Sequence, residues 1–313
     1  MGNLRLEQHG PKPIKEFYMN KSIDTLVDDI YQLMKNRNSA KGVDPEEEIE
    51  KFGEAIKDLM KKEFLPSNHR YDGRKLRLSA IGKPDLQQWY SVNNYWGEKI
   101  KPHTLIKFMY GHLIEEFLLM LVRLSGHEVT DEQKEVSVGD IKGHMDCKID
   151  GTVVDVKSTT PYGIKKFKDG TLALDDDFGY VDQLKAYAHA EGDRKFAWLA
   201  MDKQNGTLAV LQYDLDDTKH PMYEYYSGDI EERISHVKKC VKQEDRPAPC
   251  SSPVPDGRSG NLKLSTMCSY CQYKAHCYPN LRAFAYSTGP RFLTEVNNQP
   301  KVPEIKLDMF KQC

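Results

Sequence analysis

The sequence predicts an α/β (α+β) fold: a mixed central sheet flanked by helices, with further helices before it and a cysteine-rich segment after it. Three observations predict this. Residues 18–64 and 104–124 repeat apolar side chains at helical spacing, residues 135–159 and 196–213 are β-prone runs broken by turn residues, and a helical stretch at 180–191 lies between those two β regions. Helix, strands, helix, strands is the order of an α/β or α+β core. The composition divides the chain into an N-terminal helical region (1–68), a core (69–245), and a Cys-rich segment with its tail (246–313). No internal repeat is present.

In the first region Ile23, Leu26, Val27, Ile30 and Met34 share a helical face. A second helix starts where Asp44 serves as N-cap and Pro45 as first residue. Glu46, Glu47 and Glu48 then suit the positive end of its dipole, and Lys61 and Lys62 the negative end. Next comes a basic stretch, with Arg70, Arg74, Lys75, Arg77 and Lys83, followed by the aromatics Trp89, Tyr90, Tyr95 and Trp96. Residues 104–124 form the most apolar helix, interrupted by Glu115-Glu116. The runs FAWLAMD and TLAVLQY pair as a hairpin around Lys203-Gln204-Asn205-Gly206. Beyond residue 245 the chain turns to Pro, Ser and Gly, then cysteines, then a tail without periodicity.

The 313 residues suffice for a large core, and no window approaches the run of about 18 apolar residues that a membrane span needs. The start, Met1-Gly2-Asn3-Leu4-Arg5-Leu6, lacks a signal-peptide core and a myristoylation pattern, so a cytoplasmic location is expected. A formal net charge of −2 argues against coating nucleic acid by bulk electrostatics, and any such binding must come from local patches. Cys250, Cys268, Cys271 and Cys277 crowd together near the C-terminus, which in a reducing compartment suggests a metal site before disulfides.

The chemistry concentrates in IKGHMDCKIDGTVVDVKSTT, two β-prone runs around Asp150-Gly151, a dipeptide suited to a two-residue hairpin turn. That turn sets Ile149 opposite Thr152, Lys148 opposite Val153, Cys147 opposite Val154 and Asp146 opposite Asp155. Two carboxylates would then stand about 5 Å apart at Cβ, a destabilising pair unless a divalent cation lies between them. Lys157, two residues beyond Asp155, falls on the same strand face, where an amine can orient or deprotonate a water or stabilise charge on a phosphate. The alternative is a solvent-facing hairpin whose polar residues have no partner. Glu115, set among Ile114, Phe117, Leu118 and Leu119, is costly to bury without a partner and is a candidate third ligand; Glu116 fits a solvated stripe better. Gln183 and Tyr187 share a face of the 180–191 helix, either to brace such a site or as a half-buried surface pair.

Together, Glu115 in YGHLIEEFL, Asp146 in GHMD, Asp155-Val156-Lys157 and Gln183-x-x-x-Tyr187 resemble the PD-(D/E)XK nuclease superfamily, specifically its RecB-like exonuclease branch, over residues 70–280. The resemblance implies a restriction-endonuclease-like core in which Glu115, Asp146 and Asp155 bind Mg²⁺ or Mn²⁺. It also implies that Lys157 assists the attacking water and that Gln183 and Tyr187 border the site. Glu115 stands where this branch often has His. Cys268-x2-Cys271-x5-Cys277 is similar to the iron–sulfur members, whose fourth cysteine comes from near the domain start. Here LSAIGKPDLQQWY occupies that start, Pro84 or a neighbour stands in the cysteine's place, and Cys250 is the nearest substitute, ahead of His276. Four thiolates suit a 4Fe–4S cluster or structural Zn²⁺, the alternative being free buried thiols.

The implied activity is metal-dependent exonucleolytic hydrolysis of DNA ends, single- or double-stranded, in recombination, repair or phage DNA processing. A recombination partner protein and a homo-oligomer are further expectations, and YSTGPRFLTEV has a phage-like look. Arg70, Arg74, Lys75, Arg77, Lys165, Lys166 and Lys168 are candidate phosphate contacts or plain surface charges. Trp89, Tyr90, Tyr95 and Trp96 are candidate base-stacking residues or core. Two rival readings are a non-catalytic DNA-binding module that keeps the fold, and a zinc-ribbon interaction protein for which the hairpin is scaffold.

Overall fold

The computed structural model describes residues 21–40, 42–66, 75–95 and 97–306. Met1 to Leu6, Arg70, Arg74 and Trp96 lie outside the described residues. Helices α1 (Leu26–Lys35), α2 (Pro45–Phe64), α3 (Asp85–Val92) and α4 (Pro102–Leu124) come first. The α2 start is as the sequence predicts: the Asp44 side chain accepts from Glu46 N at 3.0 Å, with Pro45 in the first turn. Strands β1 (Val129–Thr130), β2 (Glu135–Val138), β3 (Ile141–His144), β4 (Cys147–Ile149) and β5 (Thr152–Thr159) follow. Then come α5 (Pro161–Lys168), α6 (Tyr180–Glu191), β6 (Lys195–Asp202), β7 (Leu208–Asp214), α7 (Tyr223–Tyr226) and α8 (Ile230–Cys240).

The central sheet runs β1-β4-β5-β6-β7, with β5 and β6 parallel and the other neighbours antiparallel. It is a mixed sheet flanked by helices, in agreement with a restriction-endonuclease-like core. On one face Leu26 and Ile30 of α1 and Leu118 and Val122 of α4 cover Val154, Val156 and Leu199. On the other, Leu184 and Tyr187 of α6 and Val237 of α8 pack over Val153 and Trp198. Full burial of each large apolar side chain contributes about 1.5–3 kcal/mol, which is why a sheet covered on both faces reads as unbroken apolar runs such as FAWLA. Alternation along β5 then directs Val154 and Val156 toward α4, and Val153, Asp155 and Lys157 toward α6. Strands β2 and β3 form a separate two-stranded sheet beside α6.

The C-terminal part, where the sequence shows no periodicity, is nonetheless built of regular elements. It contains β8 (Val254–Pro255), β9 (Leu262–Lys263), α9 (Thr266–Tyr270), α10 (Lys274–Cys277), β10 (Arg282–Tyr286), β11 (Gly289–Glu295) and β12 (Glu304–Ile305), whose strands form a second five-stranded sheet. Most of these strands are too short to show a period of 2, and the β10–β11 hairpin turns on Ser287-Thr288, which is not a strong hairpin dipeptide.

Candidate active site

The hairpin carries the expected register, Cys147 opposite Val154, Lys148 opposite Val153 and Ile149 opposite Thr152. Asp150 and Gly151 both adopt positive φ, 48° and 80°, which is the turn this dipeptide favours. His127, fully buried, faces the Asp150 carboxylate at 2.6 Å and ties the turn to the protein.

One residue further the ladder stops. Asp146 does not pair with Asp155 through the backbone as expected; its Oδ2 instead accepts from Val156 N at 2.9 Å. A side-chain oxygen has replaced a backbone carbonyl, so β4 ends at Cys147 while β5 continues to Thr159. From Asp155 onward β5 therefore has β6 on one side and no β4 partner on the other. The acidic groups gather at that open edge.

Asp155 is 2% exposed, with Gln183 Nε2 at 3.5 Å from its Oδ1 and Lys157 Nζ at 2.6 Å from its Oδ2. The Lys157 ammonium is thus the partner of the buried Oδ2. Burial, and then the Asp155 charge, pushes the Asp146 carboxyl well above the usual carboxylate range. Burial also raises Asp155, against the pull of Lys157 and with a further push from Glu115. For Lys157, burial works toward the neutral amine, but Asp155 and Asp146 outweigh it and hold the side chain as a cation.

Glu115 reaches this cluster from α4 across the sheet edge. Its side chain is 14% exposed, accepts from Gln133 Nε2 at 3.0 Å and lies 3.6 Å from His112 Nδ1. Glu116 is half-buried instead of lying on a solvated stripe, and burial followed by the Glu115 charge raises its carboxyl. On α6, Gln183 hydrogen-bonds Tyr187 as well as Asp155. Tyr187 is buried against Gly143, where a Cβ would stand 2.7 Å from its ring, so it braces Gln183 and is closed to a nucleotide.

The structure thus brings Glu115, Asp146, Asp155, Lys157, Gln183 and Tyr187 to one place. It adds three residues the sequence did not single out. Tyr180 places its ring centroid 5.1 Å from Lys157 Nζ and was discoverable, being one helical turn before Gln183. Gln133, in the left-handed conformation at φ 51°, and His112 carried no pattern that marked them. Among the described residues no group of three or more His, Cys, Asp or Glu side chains is placed to hold a metal ion. The fit of the acidic set to a hard cation rests on its donor chemistry, carboxylate oxygens that raise one another's proton affinity at one sheet edge.

The basic candidates are dispersed. Lys165 and Lys168 are exposed on α5, whereas Lys166 Nζ is 2.6 Å from Asp175. Lys75 and Arg77 are exposed and already engaged within the protein. The aromatics fail as a base platform: Trp89 and Tyr90 are buried, and Tyr95 leans on both at 5.2 and 4.8 Å.

That aromatic cluster backs the cysteines. Cys250, Cys268, Cys271 and Cys277 all line one small cavity, together with Pro84 and Gln87 from the start of α3. Pro84 therefore reaches this cavity at the position expected of a fourth cysteine, and Cys250 supplies the fourth thiol. His276 packs instead on the Tyr90 and Tyr95 rings, at 5.5 and 5.3 Å. Burial, and next the neighbouring thiols, push Cys250 up to about 12; burial takes Cys271 to about 11. All six described cysteines are free thiols. Four neighbouring thiols are the donor chemistry that a soft metal takes, although as placed no three of them form a metal-holding group. No described helix is long and apolar enough to cross a membrane.

No protein-family profile matches the chain, and no curated protein matches it in sequence. Among solved structures, that of SSO0001 overlaps 72% of this chain and 95% of its own at 13% identity, with a TM-score of 0.39. An alkaline exonuclease from Laribacter hongkongensis overlaps 52% of this chain and 91% of its own at 13% identity, with a TM-score of 0.31. The same exonuclease in complex with dAMP overlaps 54% and 91% at 14% identity, with a TM-score of 0.35. Likenesses of this extent do not bear on activity.

Proposed function

We propose that the chain is a divalent-metal-dependent deoxyribonuclease that acts as an exonuclease, with Glu115, Asp146 and Asp155 as ligands to Mg²⁺ or Mn²⁺. The observation that carries this reading is the open edge of β5. There Asp146 and Asp155 are both raised by burial, Asp146 next by the Asp155 charge, with Glu115 adding to both and Lys157 beside them as a cation. A fold keeps such a set at a cost of several kcal/mol unless a hard cation joins it. Bound there, the cation would neutralise phosphate charge and favour hydrolysis of a phosphodiester.

The remaining work falls to the chain's own side chains. Gln183, braced by Tyr187, holds the Asp155 carboxylate in orientation. The Val156 N–H does the same for Asp146. Lys157, as a cation 2.6 Å from Asp155, is positioned to stabilise negative charge developing on the phosphate, a role its charge state favours over that of proton acceptor. The four cysteines support a structural 4Fe–4S cluster or Zn²⁺ that pins a segment with little core of its own. The substrate on this reading is a DNA end, met in recombination, repair or phage DNA processing.

The test is release of nucleotides from end-labelled linear DNA with Mg²⁺, Mn²⁺ or EDTA, comparing wild type with Asp155→Ala and Lys157→Ala. Metal-dependent digestion lost in both variants is expected, and the labelled end gives the polarity. Intact DNA under every condition, with binding retained, would assign the fold to a non-catalytic DNA-binding module.

A further inference from the structure

From the Lys157 ammonium a line of aromatic rings runs outward to solvent. Tyr180, half-buried, lies 5.1 Å below Lys157 Nζ. Phe178 stacks on Tyr180 with centroids 5.5 Å apart and planes 26° from parallel, and Tyr270 follows at 6.0 Å and 58°. Exposure rises along the line, to 45% for Phe178 and 74% for Tyr270. Two large apolar rings side by side in water, continuous with the catalytic lysine, are costly features for a protein to keep without a ligand.

Both rings are mounted on fixed backbone. Phe178 precedes Gly179, whose backbone abuts that of Gly82 so closely that a Cβ on either glycine would collide with the other. On its other flank the Asp176 carboxylate accepts from Tyr180 N at 2.9 Å and Val181 N at 2.8 Å. Tyr270 ends α9 and sits between Cys268 and Cys271, so the cysteine cavity anchors it from both sides. A rigid ring loses little entropy on stacking, which is what a binding platform requires.

The neighbouring charges say which part of a ligand lies here. Asp175 is neutralised by Lys166 at 2.6 Å and Asp176 by the α6 N-terminus, while Asp177 adds a negative charge directly beside Phe178. Phosphates would gain little at Phe178 and Tyr270 and more at Lys157. Base faces suit the rings, and only an unpaired strand presents its faces, since a duplex keeps them stacked inside.

We infer that Tyr180, Phe178 and Tyr270 form a stacking track for the unpaired bases of a DNA strand whose backbone leads to Lys157. This rests on the nuclease reading of the same site and deepens it by naming the strand state of the substrate. It also gives the cysteine segment a part in substrate engagement, through Tyr270.

The test is fluorescence anisotropy of a labelled oligo-dT strand, and of a blunt duplex, in EDTA. Phe178→Ala and Tyr270→Ala should each bind the single strand about 5- to 100-fold more weakly, with duplex binding and the thermal midpoint unchanged, while Tyr270→Phe stays within about twofold of wild type. Photocross-linking of an iodouracil-substituted strand should label a peptide containing Phe178 or Tyr270. Unchanged single-strand affinity in both alanine variants, or an equal loss on the duplex, would overturn the track. A wild type that digests DNA while the variants bind normally removes the track and leaves the nuclease reading; one that binds oligo-dT through these rings but never digests DNA does the reverse.

Discussion

Replacing Asp146 by asparagine should make the metal-free protein more stable at neutral pH. Asp146 and Asp155 are both raised above the usual carboxylate range, first by burial, and Asp146 next by the charge of Asp155. A raised carboxyl binds its proton more tightly folded than unfolded, so stability is full below the unfolded value near 4 and falls as pH rises toward the folded one. The asparagine side chain keeps an oxygen for the Val156 N–H and has no proton to hold, so the variant escapes the loss that the wild type suffers as its unfolded carboxyl ionises. That escape is worth about 2–4 kcal/mol at pH 7, less about 1 kcal/mol for exchanging a carboxyl acceptor for an amide. The net gain is about 1–3 kcal/mol, a rise of roughly 2–6 °C in Tm for a chain of this size at pH 7 in EDTA. At pH 5 the gain should shrink, because that is only about one unit above the unfolded carboxyl's value and little of the wild type's loss has accrued. Millimolar Mg²⁺ should reverse the order, since only the wild type keeps its full ligand set. Differential scanning fluorimetry across pH 5–8, with and without Mg²⁺, reads all three. A variant that melts below wild type at pH 7 in EDTA would mean that the carboxyl is not raised in the folded protein and is satisfied by the protein alone.

Gly82→Ala should cost about 2–4 kcal/mol, because the new methyl meets the Gly179 backbone, which has no rotamer to yield; a melting temperature within 1 °C of wild type would contradict the close approach. Trp89→Ala should lose about 3–5 kcal/mol as a core residue, with Nε1 donating to Gln243 O at 2.9 Å; loss of DNA affinity at unchanged stability would restore it as a stacking residue. Cys268→Ser should lower metal content and thermal stability together, and absence of both iron and zinc from the wild type would remove the metal group from the cysteine cavity. Glu115→Gln should weaken Mn²⁺ dependence while leaving the fold intact, as the amide oxygen still accepts from Gln133; unchanged metal dependence would exclude Glu115 as a ligand.

Much of the site was legible because short-range rules determine it. Asp150-Gly151 dictated the turn, the turn dictated the register, and the period of 2 placed Lys157 on the Asp155 face. The missing step at Asp146 was not legible. A carboxylate oxygen captured the Val156 N–H, and a competition between side chain and backbone for one donor leaves no mark on a hydrophobic pattern. The aromatic stretch at 89–96 shows a different limit. Trp89 and Tyr90 are buried by Tyr273 and the cysteine segment, nearly two hundred residues away, whereas Phe178 and Tyr270, from segments about ninety residues apart, meet only in the fold and stand exposed. Cys250 joined the other three thiols as chemistry suggested, but the arrival of Pro84 and Gln87 at the same cavity needed the tertiary fold.

The most direct test of the acidic cluster as a cation site is a Mn²⁺ titration followed by electron paramagnetic resonance of the free ion. Wild type should deplete free Mn²⁺ at neutral pH, while Asp146→Asn and Asp155→Asn should each weaken binding about tenfold or more. Free Mn²⁺ that stays at the level of a protein-free control would leave the buried carboxylates without their cation and contradict the proposed chemistry.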